Sequence, residues 1–301
     1  MKQFTKIADE KGTLSEGPIW DYKNNVLYWT DIIEGVLFRT TPESSSYEKL
    51  IEGKNIGGFA LNETGGLVCA CWDGFYFWTE NDGFSLIATE HEGISLRFND
   101  TTTDAKGRFY AGSAYIDPDN PNFQRGKLYQ LNNDASIRVL EENLDLANGM
   151  GFSPDNHTFY LTDCVKREIY AYDYDLDSGL ISNKRLFVKV QDSEGIPDGM
   201  TVDSNGNVWS AQWYGQCIVQ YSPSGQLLQK IETPMKQTSS LIFGGKNFED
   251  LYITTAAGSW KSPYAPAGYD YNATNIGGPV YRTNVNCSGK KEYYANINKD
   301  K

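Results

Sequence analysis

Apolar and polar residues alternate along this chain in short runs, each closed by Asp, Asn or Gly, and one phrase keeps returning. It consists of an apolar residue, Asp or Pro-Asp, a Gly or Asn turn, and then an aromatic-rich strand. It reads GPIWDYKNNVLYWTD, TTTDAKGRFYAGS, GMGFSPDNHTFYLTD and GMTVDSNGNVWSAQW, with weaker copies in FALNETGGLVCACWDG and LIFGGKNFEDLYITT. Period-two alternation bounded by turn residues predicts strands joined by tight turns, as in CIVQYSPSGQLLQKI around its Pro-Ser-Gly turn. The copies begin near Gly17, Gly58, Thr101, Gly149, Gly199 and Leu241. Their spacing of roughly 40 to 50 residues is that of propeller blades, and the count predicts about six, within the usual four to eight. We therefore expect an all-β, six-bladed β-propeller in which residues 1–301 form a single domain. No amphipathic helix of useful length interrupts the rhythm. Ile116–Arg125 and Gly258–Gly278 depart from it and are expected to be loops over one face, where loops commonly shape a pocket.

Composition agrees with this reading. Hydrophobic residues make up 40% and aromatics 14%, enough to pack sheet against sheet, while 29 Gly suit many short turns. A mean hydropathy of −0.52 fits a solvated rim. Acidic residues outnumber basic ones 39 to 27, for a formal charge of −12. That field repels phosphate backbones and anionic membrane surfaces, so neither nucleic acid nor membrane is an expected partner. It also favours cations, although keeping the protein soluble is by itself a sufficient role for an acidic rim. The first residues lack the apolar core of a secretory signal, and no stretch approaches the roughly 18 apolar residues of a membrane span. The expected location is cytoplasmic. Five cysteines without a CxxC pair argue against a disulfide framework or a structural zinc site, and are expected to be reduced. The pattern marks no oligomeric surface.

The chain contains only two histidines, His91 and His157, and has neither a GxSxG elbow nor an HExxH motif. Serine-triad and imidazole-metal chemistry are therefore not expected. Oxygen ligands remain. Glu16, Asn99, Asn148 and Asp198 each stand near the start of an inner strand, three of them directly before Gly. Equivalent blade positions converge on a propeller's channel, so these side chains could form a site for a hard divalent cation. Asn-Gly and Asp-Gly are also ordinary hairpin-turn dipeptides, and spacing leaves both readings open.

At these residues the chain resembles the SMP-30/gluconolactonase family, which also includes regucalcin and the luciferin-regenerating enzymes. The likeness keeps order and spacing through SEGPIWD with LYWTDI, RFNDTTTDAKGRFYAGS, NGMGFSPDNHTFYLTD, IPDGMTVDSNGNVWSAQW, and LIFGGKNFEDLYITTA followed by GGPVYR. The resemblance implies a six-bladed propeller with lactonase activity on sugar lactones. It implies one divalent metal held by Glu16, Asn148 and Asp198, with Ca²⁺ first and Mg²⁺, Mn²⁺ or Zn²⁺ also suited. It further implies that Arg97 and Asn99 contact substrate oxygens, and that Asp117 stands where many relatives carry a pocket Glu. Here that stretch reads GSAYID, and the shorter carboxylate with Tyr115 is expected to change the sugar preference.

Asp198, both ligand and the carboxylate nearest the reacting centre, is the expected general base for an attacking water. Two alternatives remain at this stage. One is a metal-dependent esterase or lactonase acting on aromatic or xenobiotic substrates, for which Tyr115, Trp72 and Trp213 leave room. The other is a non-catalytic calcium-binding propeller, because fold does not guarantee chemistry.

Overall fold

The structure of this protein is a computed structural model that describes residues 2–9, 11–44, 46–113, 125–258 and 261–298. Six four-stranded antiparallel sheets follow one another along the chain. Their innermost strands are Ser15–Asp21, Ile56–Leu61, Phe98–Thr103, Ala147–Phe152, Ile196–Val202 and Thr238–Gly244. Each of these packs against the innermost strands of both neighbouring blades, so the six close into a ring around a channel. The expected propeller and its count of six are borne out, and no helix occurs among the described residues.

Burial follows the path outward through each blade. In the fourth blade the second strand, Thr158–Asp163, is buried at every position after the first, whereas the outermost strand, Leu180–Lys189, is mostly exposed. Aromatic side chains fill the wedges between blades. Phe75 and Phe98 meet across the second and third blades with ring centres 4.1 Å apart, and Trp20 stacks on Tyr252 across the first and sixth at 5.4 Å. Burying one such ring contributes about 2–3 kcal/mol before entropy is counted, which explains why 14% aromatic content is concentrated in the strands.

In the first, third and fifth blades the Asp of the repeated phrase caps the turn that follows the inner strand. Asp21 accepts from the backbone N–H of Lys23 and Asn24, and Asp203 accepts from those of Asn205 and Asn207. These are Asx-type turns, completed where Asn25 (φ 55°) and Gly206 (φ 83°) take left-handed conformations.

The ring is closed twice. The sixth blade takes its outermost strand, Thr5–Ala8, from the beginning of the chain, paired antiparallel to Val280–Asn284. A strap formed by residues 288–298 then crosses the far end of the channel and bonds to the inner turn of every blade. Gly289 N–H donates to Phe248, Ser204 N–H to Ser288, Asn156 to the Tyr293 hydroxyl, and Tyr294 to Asp21. Ala295 N–H donates to Leu61 and Asn296 N–H to Gly107. Tyr293 and Tyr294 thereby floor a channel cavity of about 70 Å³, whose walls include Asp100, Thr101, Thr201 and Ser240.

Candidate functional site

All six inner strands break register at the same level, just inside the end of the channel opposite the strap. The irregularities fall between Glu16 and Ile19, Ile56 and Gly58, Phe98 and Asp100, Asn148 and Met150, Pro197 and Met200, and Thr238 and Ser240. Such bulges release residues from the ladder and re-aim their side chains, which is why they gather at active sites. The positions at or beside the bulges carry Glu16, Gly57, Asn99, Asn148, Asp198 and Ser239. Asn148 and Asp198 therefore lie within strands, and the hairpin-turn reading of Asn148-Gly149 and Asp198-Gly199 does not hold. Gly149 has a packing reason instead: a Cβ there would stand 2.4 Å from the carbonyl oxygen of Asp198.

The approach to the site is fixed by the Thr-Asp that ends the second strands of the first and fourth blades. Asp31 accepts from Thr13 and Leu14 N–H, and Asp163 from Asp145 and Leu146 N–H. Both carboxylates are 0–1% exposed. Each holds the backbone two residues before Glu16 or Asn148, so the repeated motif sets where those side chains begin.

Glu16, Asn148 and Asp198 are all buried, at 8%, 4% and 4% exposure. The Asn148 amide donates to Asp198 Oδ1, and its own Oδ1 accepts from Gly149 N–H at 2.9 Å. The hydrogen bond found for the Glu16 carboxylate is to the N–H of adjacent Gly17, at 3.3 Å. Burial drives the carboxyl pKa values of both Glu16 and Asp198 well above the usual range. The charge of Asp100 adds to this for Asp198, and the charges of Asp198 and Asp100 add to it for Glu16. Burial also pushes Asp100 up to about 7, against the opposing hydrogen bond from Thr101 N–H. Among the described residues no Lys, Arg or His pairs with any of the three.

Buried, mutually repelling carboxylates without a counter-charge are what a bound cation would relieve. The donors, two carboxylates and an amide, are hard oxygen ligands. Among the described residues no group of three or more His, Cys, Asp or Glu is placed to hold a metal, so the amide of Asn148 is needed to complete the set.

The remaining expected residues are distributed around this centre. Asn99 donates its side-chain N–H to the Ala147 carbonyl at 3.1 Å, tying the third blade to the residue before Asn148. Arg97 is exposed, and its guanidinium lies 4.0 Å from the centre of the Trp72 ring. Asp117 and Tyr115 lie outside the described residues. Trp213 is buried in an apolar collar with Cys164, Ile196, Tyr214 and Ala256. Tyr269 and Tyr271, from the expected loop after Gly258, pack on Tyr214, and Arg167 anchors that loop through the Tyr264 carbonyl. His157 is exposed in its turn, and His91 is half-buried, edge-on to Tyr129.

Two groups went unnoticed in the sequence. Asp100 was visible inside RFND, but nothing local marks it as a channel carboxylate. Cys164 stands next to Asp163, and its thiol reaches the site only because the fourth blade abuts the fifth. Its Sγ lies 3.5 Å from Asn148 Nδ2 and 3.7 Å from Asp198 Oδ1, and it donates to the Pro197 carbonyl at 2.8 Å.

The chain is 32% identical to the pentonolactonase XacC of Haloferax volcanii over 293 residues, covering 97% of this chain and 98% of that protein. It is 31% identical to regucalcin of Xenopus laevis over 280 residues, covering 90% and 94%. A solved luciferin-regenerating enzyme superposes with a TM-score of 0.90 at 28% identity, covering 99% of this chain and all of that one. Residues 14–257 match the SMP-30/Gluconolactonase/LRE-like region, a span that contains Glu16, Asn148, Asp198 and all six bulges. This chain belongs to that family.

Proposed function

We propose that this protein hydrolyses sugar lactones, with Glu16, Asn148 and Asp198 holding one divalent cation and Asp198 serving as general base. One observation carries the reading: two buried carboxylates, without a counter-charge among the described residues, meet an amide at matching bulges of three blades. The lactonase names within the family support the substrate class. Ca²⁺ suits an all-oxygen set best, with Mg²⁺, Mn²⁺ and Zn²⁺ as the alternatives. When bound, such an ion polarises a lactone carbonyl and lowers the pKa of water.

The chain's own residues then do the following. Asp198 takes a proton from water, and the water oxygen bonds to the lactone carbonyl carbon. The ring C–O bond breaks, and the ring oxygen leaves as a hydroxyl, taking the proton back from Asp198. The product is the open hydroxy acid, whose ionisation releases a proton. Arg97, its guanidinium over the Trp72 ring, offers N–H donors to sugar oxygens, and Asn99 and Asp117 complete the substrate contacts. The Trp72 face beneath Arg97 supports a second reading, in which an aromatic lactone or ester occupies the same mouth.

The test is hydrolysis of glucono-δ-lactone, a pentonolactone and an aryl lactone, followed by proton release. It uses protein stripped with EDTA and then reloaded with each metal in turn. Sugar-lactone activity lost on stripping and restored by one ion supports the proposal. Activity on the aryl lactone alone favours the second reading. Calcium-induced stabilisation without hydrolysis of any substrate leaves a binding protein and sinks both.

A further inference from the structure

Among the described residues, four of the six blades place a residue at one equivalent position, directly after the second strand, where its N–H bonds back to the residue before the inner strand. Ile32, Trp72, Cys164 and Ala256 make this bond to Leu14, Asn55, Leu146 and Gln237, each at 3.0 Å. In three of these blades the side chain is aliphatic, aromatic or a methyl group. The fourth blade instead carries a thiol, 2% exposed, at the seam where its amide meets the fifth blade's carboxylate.

The thiol has specific work at that seam. Pro197 is the last residue in register with Gln212 before the bulge that runs to Met200, and a buried carbonyl at that break gains from a further donor. Cys164 supplies it at 2.8 Å. The same sulfur lies against Asn148 Nδ2 and Asp198 Oδ1, so one atom touches the backbone and side chain of the Pro197-Asp198 unit and the neighbouring donor. A thiol carries one S–H, and the Pro197 carbonyl at 2.8 Å is the nearer of its two oxygen neighbours.

We infer that Cys164 is a positioning residue of this centre, its S–H holding the Pro197-Asp198 peptide so that the Asp198 carboxylate stays aligned with Asn148. The inference rests on the lactonase reading for its kinetic consequence, but not for its effect on cation binding. Groups behind metal ligands typically alter affinity or activity 10- to 100-fold when removed.

The experiment compares Cys164→Ala and Cys164→Ser with the parent protein, all loaded with Ca²⁺. The readouts are kcat and KM on glucono-δ-lactone, the calcium dissociation constant from titration, and the melting temperature in EDTA. For the alanine variant we expect kcat to fall roughly 10-fold and calcium binding to weaken by a similar factor, with KM within about two-fold. Its EDTA melting temperature stays within a few degrees of the parent value. Serine restores most of both, because a 2.8 Å contact is short for sulfur and the shorter C–O bond carries a hydroxyl to an ordinary hydrogen-bond distance. Parental kcat and calcium affinity in the alanine variant would overturn the inference. So would losses in both variants that track melting temperature, which mark a packing role. If the parent binds calcium but hydrolyses no lactone, the function proposed above fails alone, and the calcium affinities still decide the role of Cys164. A parent that neither hydrolyses nor binds overturns both.

Discussion

Asp198 and Asp203 stand five residues apart at opposite ends of one inner strand, both buried, at 4% and 0% exposure. At the strap end, Asp203 accepts hydrogen bonds from Asn205 and Asn207 N–H, Trp209 Nε1, Gln220 Nε2 and the Asn207 side chain. At the open end, Asp198 has the Asn148 amide and a thiol at 3.7 Å, and faces the charge of Asp100. The same residue type is therefore a structural pin at one end and an unneutralised charge at the other. The difference lies in the number of donors the fold supplies. A satisfied carboxylate stabilises its turn, whereas an under-satisfied one costs stability and is available to a cation or a proton.

Replacing each residue is the sharpest way to break this comparison. Asp198→Asn is expected to lower kcat by roughly 10²–10⁴-fold while the metal-free fold melts at or above the parental temperature. Lactone turnover and a thermal melt in EDTA check the two halves, and near-parental turnover would remove Asp198 from the chemistry. Asp203→Ala is expected to do the reverse. It strands several buried donors and costs about 3 kcal/mol or more, read by urea unfolding, with kcat of the folded fraction largely kept.

The contrast also predicts a pH signature. Glu16, Asp100 and Asp198 hold their protons to higher pH when folded than when unfolded. Between the ordinary carboxyl value near 4 and the folded value, about 7 for Asp100, the folded state carries the extra protons. Stability of the metal-free protein therefore falls as pH rises through that window. Calcium should raise the melting temperature more at pH 8 than at pH 5, and equal shifts at both would contradict the account. The smallest expected effect is at the rim. Arg97→Ala should raise KM several-fold with little change in kcat, and Trp72→Ala should follow it more weakly. A loss confined to kcat would give Arg97 a different role.

Much of this was legible in the sequence, and the parts that were not share a cause. The blades could be counted because each begins with its own Asp, Asn or Gly turn, a local signal set by Asx geometry. Glu16, Asn148 and Asp198 stood out as oxygen donors at repeating places, and the family likeness separated them from turn dipeptides. The bulges did not show, because a shift of one or two residues leaves the alternation almost intact. Nor did the sixth blade's borrowed strand, Thr5–Ala8, since its pairing depends on residues more than 270 positions away. Asp100 and Cys164 acquire meaning only from neighbours in other blades. For Asp100, Cys164 and the borrowed strand, the signal lies in distant parts of the chain rather than in their own neighbourhood.

The strap has a further consequence for how the molecule comes into being. Its bonds join the inner turn of each blade to residues 288–298, which are synthesised after all six inner strands. The first blade also waits for Val280–Asn284 before its neighbour, the sixth, is complete. Individual blades can form hairpin by hairpin as they emerge, but the channel has no floor and the ring no latch until residues 280–298 arrive. Long-range closure of this kind is slow, because the entropy of a large loop is lost before the contacts form. The nascent chain thus passes through an open stage in which the exposed seam between its first and last blades sets its exposure to chaperones and to aggregation.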